Sequence, residues 1–323
     1  MFIYIILFLV VFGASFGILK IMIPKLKKAN IVGKDMHKPD LPEVPEMGGM
    51  GVVVAFSFGV VLAMGIEVFF DELIPVNIVS LFAVLATVLM ISLVGILDDL
   101  LDISQKLKAV MPAFAALPLV AIKEGHSILT IPFLGRIDFG LFYPLVLVPV
   151  GITGAANAVN MLAGFNGLEV GMGAVAIASL AIISLYIRSM TAFVILMVAL
   201  ACLLAALYYN WYPAKLLIGD VGTLSIGAII ASSVIVGNFE TAGIIIIIPY
   251  FVDFVIKAIN GFPSKGWWGI NDNGKLCCPN PRPVGLCQLI MKLTGGIKEK
   301  NLVLTLMGIE AAFGAFAILL YVR

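Results

Sequence analysis

Charge is what this sequence has least of. Only 12% of its 323 residues are Asp, Glu, Lys or Arg, against roughly 25% in soluble domains, which excludes an ordinary water-facing surface. A formal net charge of +1 excludes the clustered basic excess that a nucleic-acid-binding face needs. Cysteine is equally sparse: Cys202 sits in an apolar stretch, Cys277, Cys278 and Cys287 in a polar one, and no disulfide framework follows. The Cys-Cys-x8-Cys spacing lacks the paired C-x2-C of a zinc site, so these thiols read as reduced and non-ligating. The opening run MFIYIILFLVVFG lacks a basic n-region and a small-residue cleavage site, and reads as a retained first span. No internal repeat and no separate soluble domain is visible.

What is present is apolar: 62% of the residues are hydrophobic and the mean hydropathy is +1.14. Crossing a hydrocarbon core of ~30 Å takes about 20 such residues in a helix. Ten windows qualify, near 2–22, 49–70, 76–97, 109–122, 142–159, 169–187, 191–209, 222–237, 242–260 and 301–321. The expected fold is all-α, a polytopic bundle of about ten transmembrane helices. Basic residues favour cytoplasmic loops. With both termini external, sixteen of the twenty Lys and Arg fall on the cytoplasmic side, and only Lys123, Arg136, Arg188 and Arg323 fall outside. The cytoplasmic loops are then about 23–48, 98–108, 160–168, 210–221 and 261–300. The external segment SILTIPFLGRIDFG (127–140) alternates around Leu-Gly and predicts a small β-hairpin.

On this topology every unusual polar cluster lands on one side. Asp98, Asp99 and Asp102 close the third span. Positions 98 and 102, or 99 and 102, share a helix face, whereas 98 and 99 point about 100° apart, so the three cannot bind one ion together. Three negative charges at a helix C-terminus oppose the macrodipole, and unpaired in lipid they are costly; they need water, a metal or a cation. Lys106 and Lys108 follow, either as structural neutralisers or as point charges for a phosphate. In NAVNMLAGFNGLE, Asn157 and Asn160 share a face before the helix breaks near Gly164, and Asn166 and Glu169 follow. Carboxamides and broken-helix carbonyls suit a hard divalent cation or a base edge, and non-helical backbone at membrane depth implies a polar pocket. The bland alternative is ordinary Asn-Gly turn chemistry. NWYPAKLLIGD delivers Asp220, with Gly219 and Gly222 allowing close backbone approach, while Trp211 reads as an interfacial anchor. Glu310, inside the last span, reads as a structural hydrogen-bonding group.

With these residues laid out, the chain resembles the polyprenyl-phosphate N-acetylhexosamine-1-phosphate transferases (glycosyltransferase family 4), nearest the dolichyl-phosphate GlcNAc-1-phosphotransferase branch and in an archaeal-type form. GILDDLLD with Lys108 nine residues after Asp99, NAVNMLAGFNGLE and YNWYPAKLLIGD carry the resemblance, over about residues 30–290. It implies one integral membrane catalytic domain over 1–323, in the cell membrane if the source is prokaryotic, with its site on the cytoplasmic face. The implied substrates are a UDP-sugar donor and a polyprenyl or dolichyl phosphate. Mg2+ is the implied cofactor, with Mn2+ as a substitute, and a homodimer is an allowed assembly. Asn160 and Asp220 look like metal ligands. Asp98, Asp99, Lys108 and Asp220 look catalytic, and Lys108, Asn157 and Asp102 would meet the acceptor phosphate. Lys34, Asp35, Met36, Glu46, Gly164 and Asn166 would take the nucleotide, with Arg282 on the sugar side. Asn280 and Pro281 depart from the Arg-His-Arg motif that Arg282 would complete. A secondary transporter is the main rival, yet it would put acids near the midplane in matching halves. An Asp-rich prenyltransferase would need two acidic motifs where one exists.

Overall fold

The structure, a computed structural model, describes residues 2–322 except Pro39, Asp71, Glu72, Asp102, 132–134, Ser264, Lys265 and Trp267. The expected Asp102 site therefore lies outside the described residues. In lipid, each peptide N–H and C=O must be satisfied within its own segment, and the apolar windows accordingly become helices. The chain runs α1 (Phe2–Lys28), α2 (Gly49–Phe69) and α3 (Ile78–Leu101). Short helices α4 (Gln105–Val110), α5 (Pro112–Ala115) and α6 (Leu117–Ala121) follow. A π-helical turn at Tyr143–Leu147 leads into α7 (Val148–Leu162), then α8 (Leu168–Tyr186), α9 (Met190–Asn210), α10 (Gly219–Gly237), α11 (Glu240–Ile259), α12 (Leu286–Leu293) and α13 (Glu299–Tyr321).

Among the described residues nine helices are long and apolar enough to cross a membrane. The expected fourth span at 109–122 is different: Pro112 and Pro118 each open a new short helix, so the stretch is broken. It still makes a pass. The last turn of α3 carries Asp98 and Asp99, and the last turn of α7 carries Asn160 beside the same centre, so the chain must return across the bundle before α7 begins.

Three small antiparallel hairpins decorate the ends. The expected external one pairs Ile128–Ile131 (β3) with Gly135–Asp138 (β4). Two more, Val32–Lys34 (β1) with Glu43–Pro45 (β2) and Ile270–Asp272 (β5) with Lys275–Cys277 (β6), lie in the two long polar loops. The last turns on Asn273-Gly274, both at positive φ, the usual two-residue hairpin signal.

Helix α10 is the axis of the bundle, buried from Val221 to Val236 and packed by α2, α3, α7, α8, α9 and α11. Its sequence GDVGTLSIGAIIASSVIVG supplies the small residues that membrane helices need for close approach, since apolar burial alone does not drive their association. At three contacts no side chain fits, one of them where Gly49 of α2 abuts the Gly222 backbone. A Cβ on Gly95 of α3 falls 2.5 Å from Val221 Cα, and one on Gly227 falls 2.4 Å from the Ala155 carbonyl oxygen of α7. These two seams hold the ends of α3, α7 and α10 together. Gly227→Ala should therefore destabilise the fold by about 1–3 kcal/mol through overpacking, read as a lower midpoint of thermal unfolding in detergent. An unchanged midpoint contradicts the seam.

Candidate active site

Where α3 and α7 end and α10 begins, two acids meet one lysine. Lys108 Nζ, carried on α4, donates to Asp98 Oδ2 at 2.5 Å and also to Asp220 Oδ2. Asp220, in the first turn of α10, accepts on its other oxygen from Asn160 Nδ2 at 2.7 Å, and the same amide donates to Thr223 Oγ1 at 2.8 Å. The charged ends are largely removed from water, with side-chain exposures of 11% for Lys108 and 9% for Asp98. Asp99 turns elsewhere: it accepts the backbone N–H of Asp220 at 3.0 Å and of Val221 at 3.4 Å. A carboxylate on the free amides of a helix N-terminus also complements its dipole, so Asp99 seats α10 and thereby aims Asp220.

Asp98 and Asp220 share the Lys108 ammonium, and Asp99 and Glu46 lie close enough to Asp220 to feel its charge. Burial, and then the charge of Asp220, push the Glu46 carboxyl above its ordinary value. Asp98 Oδ1 is buried with no hydrogen-bond partner among the described residues. No three His, Cys, Asp or Glu side chains among the described residues form a ready-made metal cage.

The first loop and the α7–α8 loop pack beside this centre through a second hub. Lys38 Nζ pairs with Glu299 at 2.5 Å and Asp35 at 3.1 Å, reaches Asn166 Oδ1 at 3.4 Å, and lies 4.5 Å from the centre of the Tyr212 ring. Asn166 is 3% exposed, donates to Asp35 at 3.2 Å and accepts from the Ala214 N–H at 2.9 Å. Asn166 and Asp35 thus join the first loop to the α7–α8 and α9–α10 loops. His37 stacks on Phe165 with ring centres 4.0 Å apart and donates through Nε2 to the Gly164 carbonyl at 2.8 Å. Burial pushes its imidazole down, so it is neutral at pH 7. Asn210 closes the set, accepting from Gly167 and donating to the Leu216 carbonyl.

The remaining expected residues are more peripheral. Lys34 is exposed opposite Glu43, Met36 is 39% exposed and Arg282 is exposed. Glu310 is fully buried, and the structural hydrogen bond expected of it is missing: neither oxygen has a partner among the described residues.

Asn157 donates to the Ala109 and Thr153 carbonyls and lines a groove of about 1110 Å³. Lys108, Asn157 and Asn160 border one end of this groove, Tyr143 and Glu240 the other, with Val150, Ile247 and Phe251 between them. From Tyr143 to Asn160 it follows α7 for about 25 Å, close to the thickness of a hydrocarbon core.

The bundle and the charged groove mouth define an integral polytopic membrane protein whose polar centre opens onto a lipid-sized channel. The chain belongs to the family described as Glycosyl transferase family 4, which its residues 81–238 match. It is 39% identical over 301 residues, 93% of this chain and 91% of the relative, to a Saccharolobus solfataricus protein provisionally named UDP-N-acetylglucosamine–dolichyl-phosphate N-acetylglucosaminephosphotransferase. A Dictyostelium discoideum protein bearing that name without qualification is 28% identical, over 87% of this chain and 79% of its own. The phospho-N-acetylmuramoyl-pentapeptide-transferase of Enterococcus faecalis is 30% identical over 61% of this chain and 62% of its own.

The Lys38 hub gives a pH-dependent prediction. Burial alone lowers the Lys38 ammonium, but Glu299 and Asp35 outweigh it and hold it above the ordinary lysine value. Its stabilisation is therefore fully present below that value, about 10.4, and is lost as pH rises through the raised one. Lys38→Met should lower the unfolding midpoint by a constant amount from neutral pH up to that range, and the gap should close only beyond it. A gap that closes near neutrality contradicts the hub.

Proposed function

We propose that the protein transfers GlcNAc-1-phosphate, or a related HexNAc-1-phosphate, from a UDP-sugar to a polyprenyl or dolichyl phosphate. The products are a polyprenyl-diphospho-sugar and UMP, and the reaction is the first committed step of lipid-linked glycan assembly. The carrying observation is one ammonium, Lys108, shared by two acids at the mouth of a bilayer-length apolar groove. The names of the relatives support the donor and acceptor classes. A transporter is disfavoured, because these acids gather at one end of the bundle and not at its middle.

In this reading the acceptor chain lies along α7 and α11 with its phosphate at Lys108 and Asn157. A phosphate monoester, with a second pKa of about 6, is already mostly dianionic at pH 7, so its oxygen attacks without a protein base. The new bond joins that oxygen to the sugar-linked phosphorus, the bond to the bridging oxygen breaks, and UMP departs. Lys108 holds the acceptor against electrostatic repulsion, and Asp98 and Asp220 hold Lys108. Asp99 keeps Asp220 in place through the α10 amides. The first loop, with Lys34, Met36 and Glu46, flanks the nucleotide beside Gly164, and Arg282 faces the sugar.

The residues fit a hard divalent cation: Asn160 has spent its N–H groups, leaving its carbonyl oxygen, beside the Asp220 carboxylate, and Asp98 Oδ1 has no partner among the described residues. Asp220 and Asn160 would hold Mg2+, or Mn2+, with the substrate's phosphates completing the shell, the arrangement usual for Mg2+. Bound there, the ion would neutralise charge on the transferring phosphoryl group. The basic loops at this end favour the cytoplasmic face, in the cell membrane if the source is prokaryotic. The chain would act as one catalytic unit, alone or as a homodimer.

Purified protein given UDP-GlcNAc, dolichyl phosphate and Mg2+ should release UMP and form glycolipid. Lys108→Met should lower kcat at least about 100-fold, the scale for losing one preorganised charge-stabilising group, and Asp220→Ala should abolish turnover in a folded protein. No UMP from any of several UDP-sugars and polyprenyl phosphates sinks the proposal.

A further inference from the structure

Beside the Lys108 centre, α11 carries a second buried acid–base pair, whose Lys257 lines the same groove. Asp253 and Lys257, one helical turn apart, form an ion pair of 2.9 Å, with side-chain exposures of 2% and 11%. Neither is engaged by the reaction scheme above, and each makes a second bond to a different element. Lys257 Nζ donates to the carbonyl of Met161, in the last turn of α7 and next to Asn160. Asp253 Oδ1 accepts the N–H of Leu286, the first residue of α12, at 2.7 Å.

The Leu286 contact needs a chain without a side chain just before it. A Cβ on Gly285 would lie 2.9 Å from Asp253 Oδ1 and 3.4 Å from Lys257 Cε. The neighbouring residues follow from this anchor: Asn260, just past the end of α11, donates to the Pro283 carbonyl at 3.2 Å, and Lys292 of α12 donates to Pro281 at 2.5 Å. Arg282 sits between those two anchored prolines.

At the other end, the last carbonyls of a helix lack partners within it, and a lysine from a neighbouring helix can satisfy one and complement the dipole. Lys257 does this for α7. It fixes the turn that presents Asn160 to Asp220 and Thr223. One ion pair therefore ties the metal-side asparagine to the loop on the sugar side.

We infer that Asp253 and Lys257 are a positioning pair, clamping the end of α7 and the start of α12 into the geometry the reaction requires. This rests on the proposed function, and neither residue touches the reacting atoms. Outer partners of this kind typically change activity or metal affinity about 10–100-fold when removed.

Lys257→Met should therefore lower kcat for UDP-GlcNAc and dolichyl phosphate by about 10–100-fold with KM for both little changed, while Lys257→Arg restores most of it. Hydrogen–deuterium exchange gives a readout without turnover: amides at 161–166 and at 285–289 should both exchange faster in Lys257→Met than in the wild type. Asp253→Asn keeps an acceptor for Leu286 but loses the charge. It should loosen 161–166 more than 285–289, and it serves as the variant if Lys257→Met does not fold. Wild-type kcat in either folded variant overturns the proposal, even with faster exchange, because the pair is then only structural. So does a raised KM for dolichyl phosphate at unchanged kcat, which would make Lys257 a substrate ligand. A wild-type protein that forms no UMP sinks the proposed reaction alone; unchanged exchange in both segments still overturns the clamp.

Discussion

A single ammonium joins the three helix ends on which the chemistry depends. Lys108 holds Asp98 of α3 and Asp220 of α10, and Asp220 in turn holds Asn160 of α7. Buried charges are retained only with partners, and removing one partner from such a pair is far costlier than the pair's net contribution to stability. The acids therefore fix where α4 must lie, although that helix has only six residues and little apolar surface of its own. Asp99 and Glu46 lie beside that pair, and in the proposed reaction this cluster of acids would favour a cation carrying phosphates.

The same constraint explains why acids stand at the end of a membrane-length helix. Bringing α3 and α7 to backbone contact with α10 through Gly95 and Gly227 leaves their polar ends with nowhere to go but together. The groove along α7 and α11 then runs from that polar mouth into apolar surface. In the proposed reaction the lipid and the water-soluble donor would meet there, because the helix seams set one wall of the groove and also aim the acids at its mouth.

Hydropathy made most of the helices legible, because apolar windows in lipid have one backbone solution. It overlooked the breaks at Pro112 and Pro118, where composition stays apolar but the backbone cannot continue. The 128–138 hairpin was readable from alternation, whereas the 270–277 hairpin, marked by Asn273-Gly274, escaped notice among charged residues. Asp98, Lys108, Asn160 and Asp220 were legible from residue type and spacing, and they meet. The Lys38 hub was not, since its partner Glu299 lies 261 residues away and each residue alone reads as solvated charge. The bonds that Asn166 makes to Asp35 and Ala214 were not legible either, because they depend on loops whose approach no local pattern encodes. The Asp253–Lys257 pair looks like an ordinary i,i+4 surface bridge until its burial and its bonds to Met161 and Leu286 are seen.

Locating a bound divalent ion tests the convergence of α3, α7 and α10 most directly. The protein should be crystallised with UDP-GlcNAc and Mn2+, and the anomalous signal of the metal mapped. A peak within bonding distance of both the Asp220 carboxylate and the Asn160 carboxamide, beside the donor diphosphate and the Lys108 ammonium, is the expected result. A peak elsewhere, or a donor diphosphate bound away from Lys108, contradicts a reaction centre at the meeting of these three helix ends.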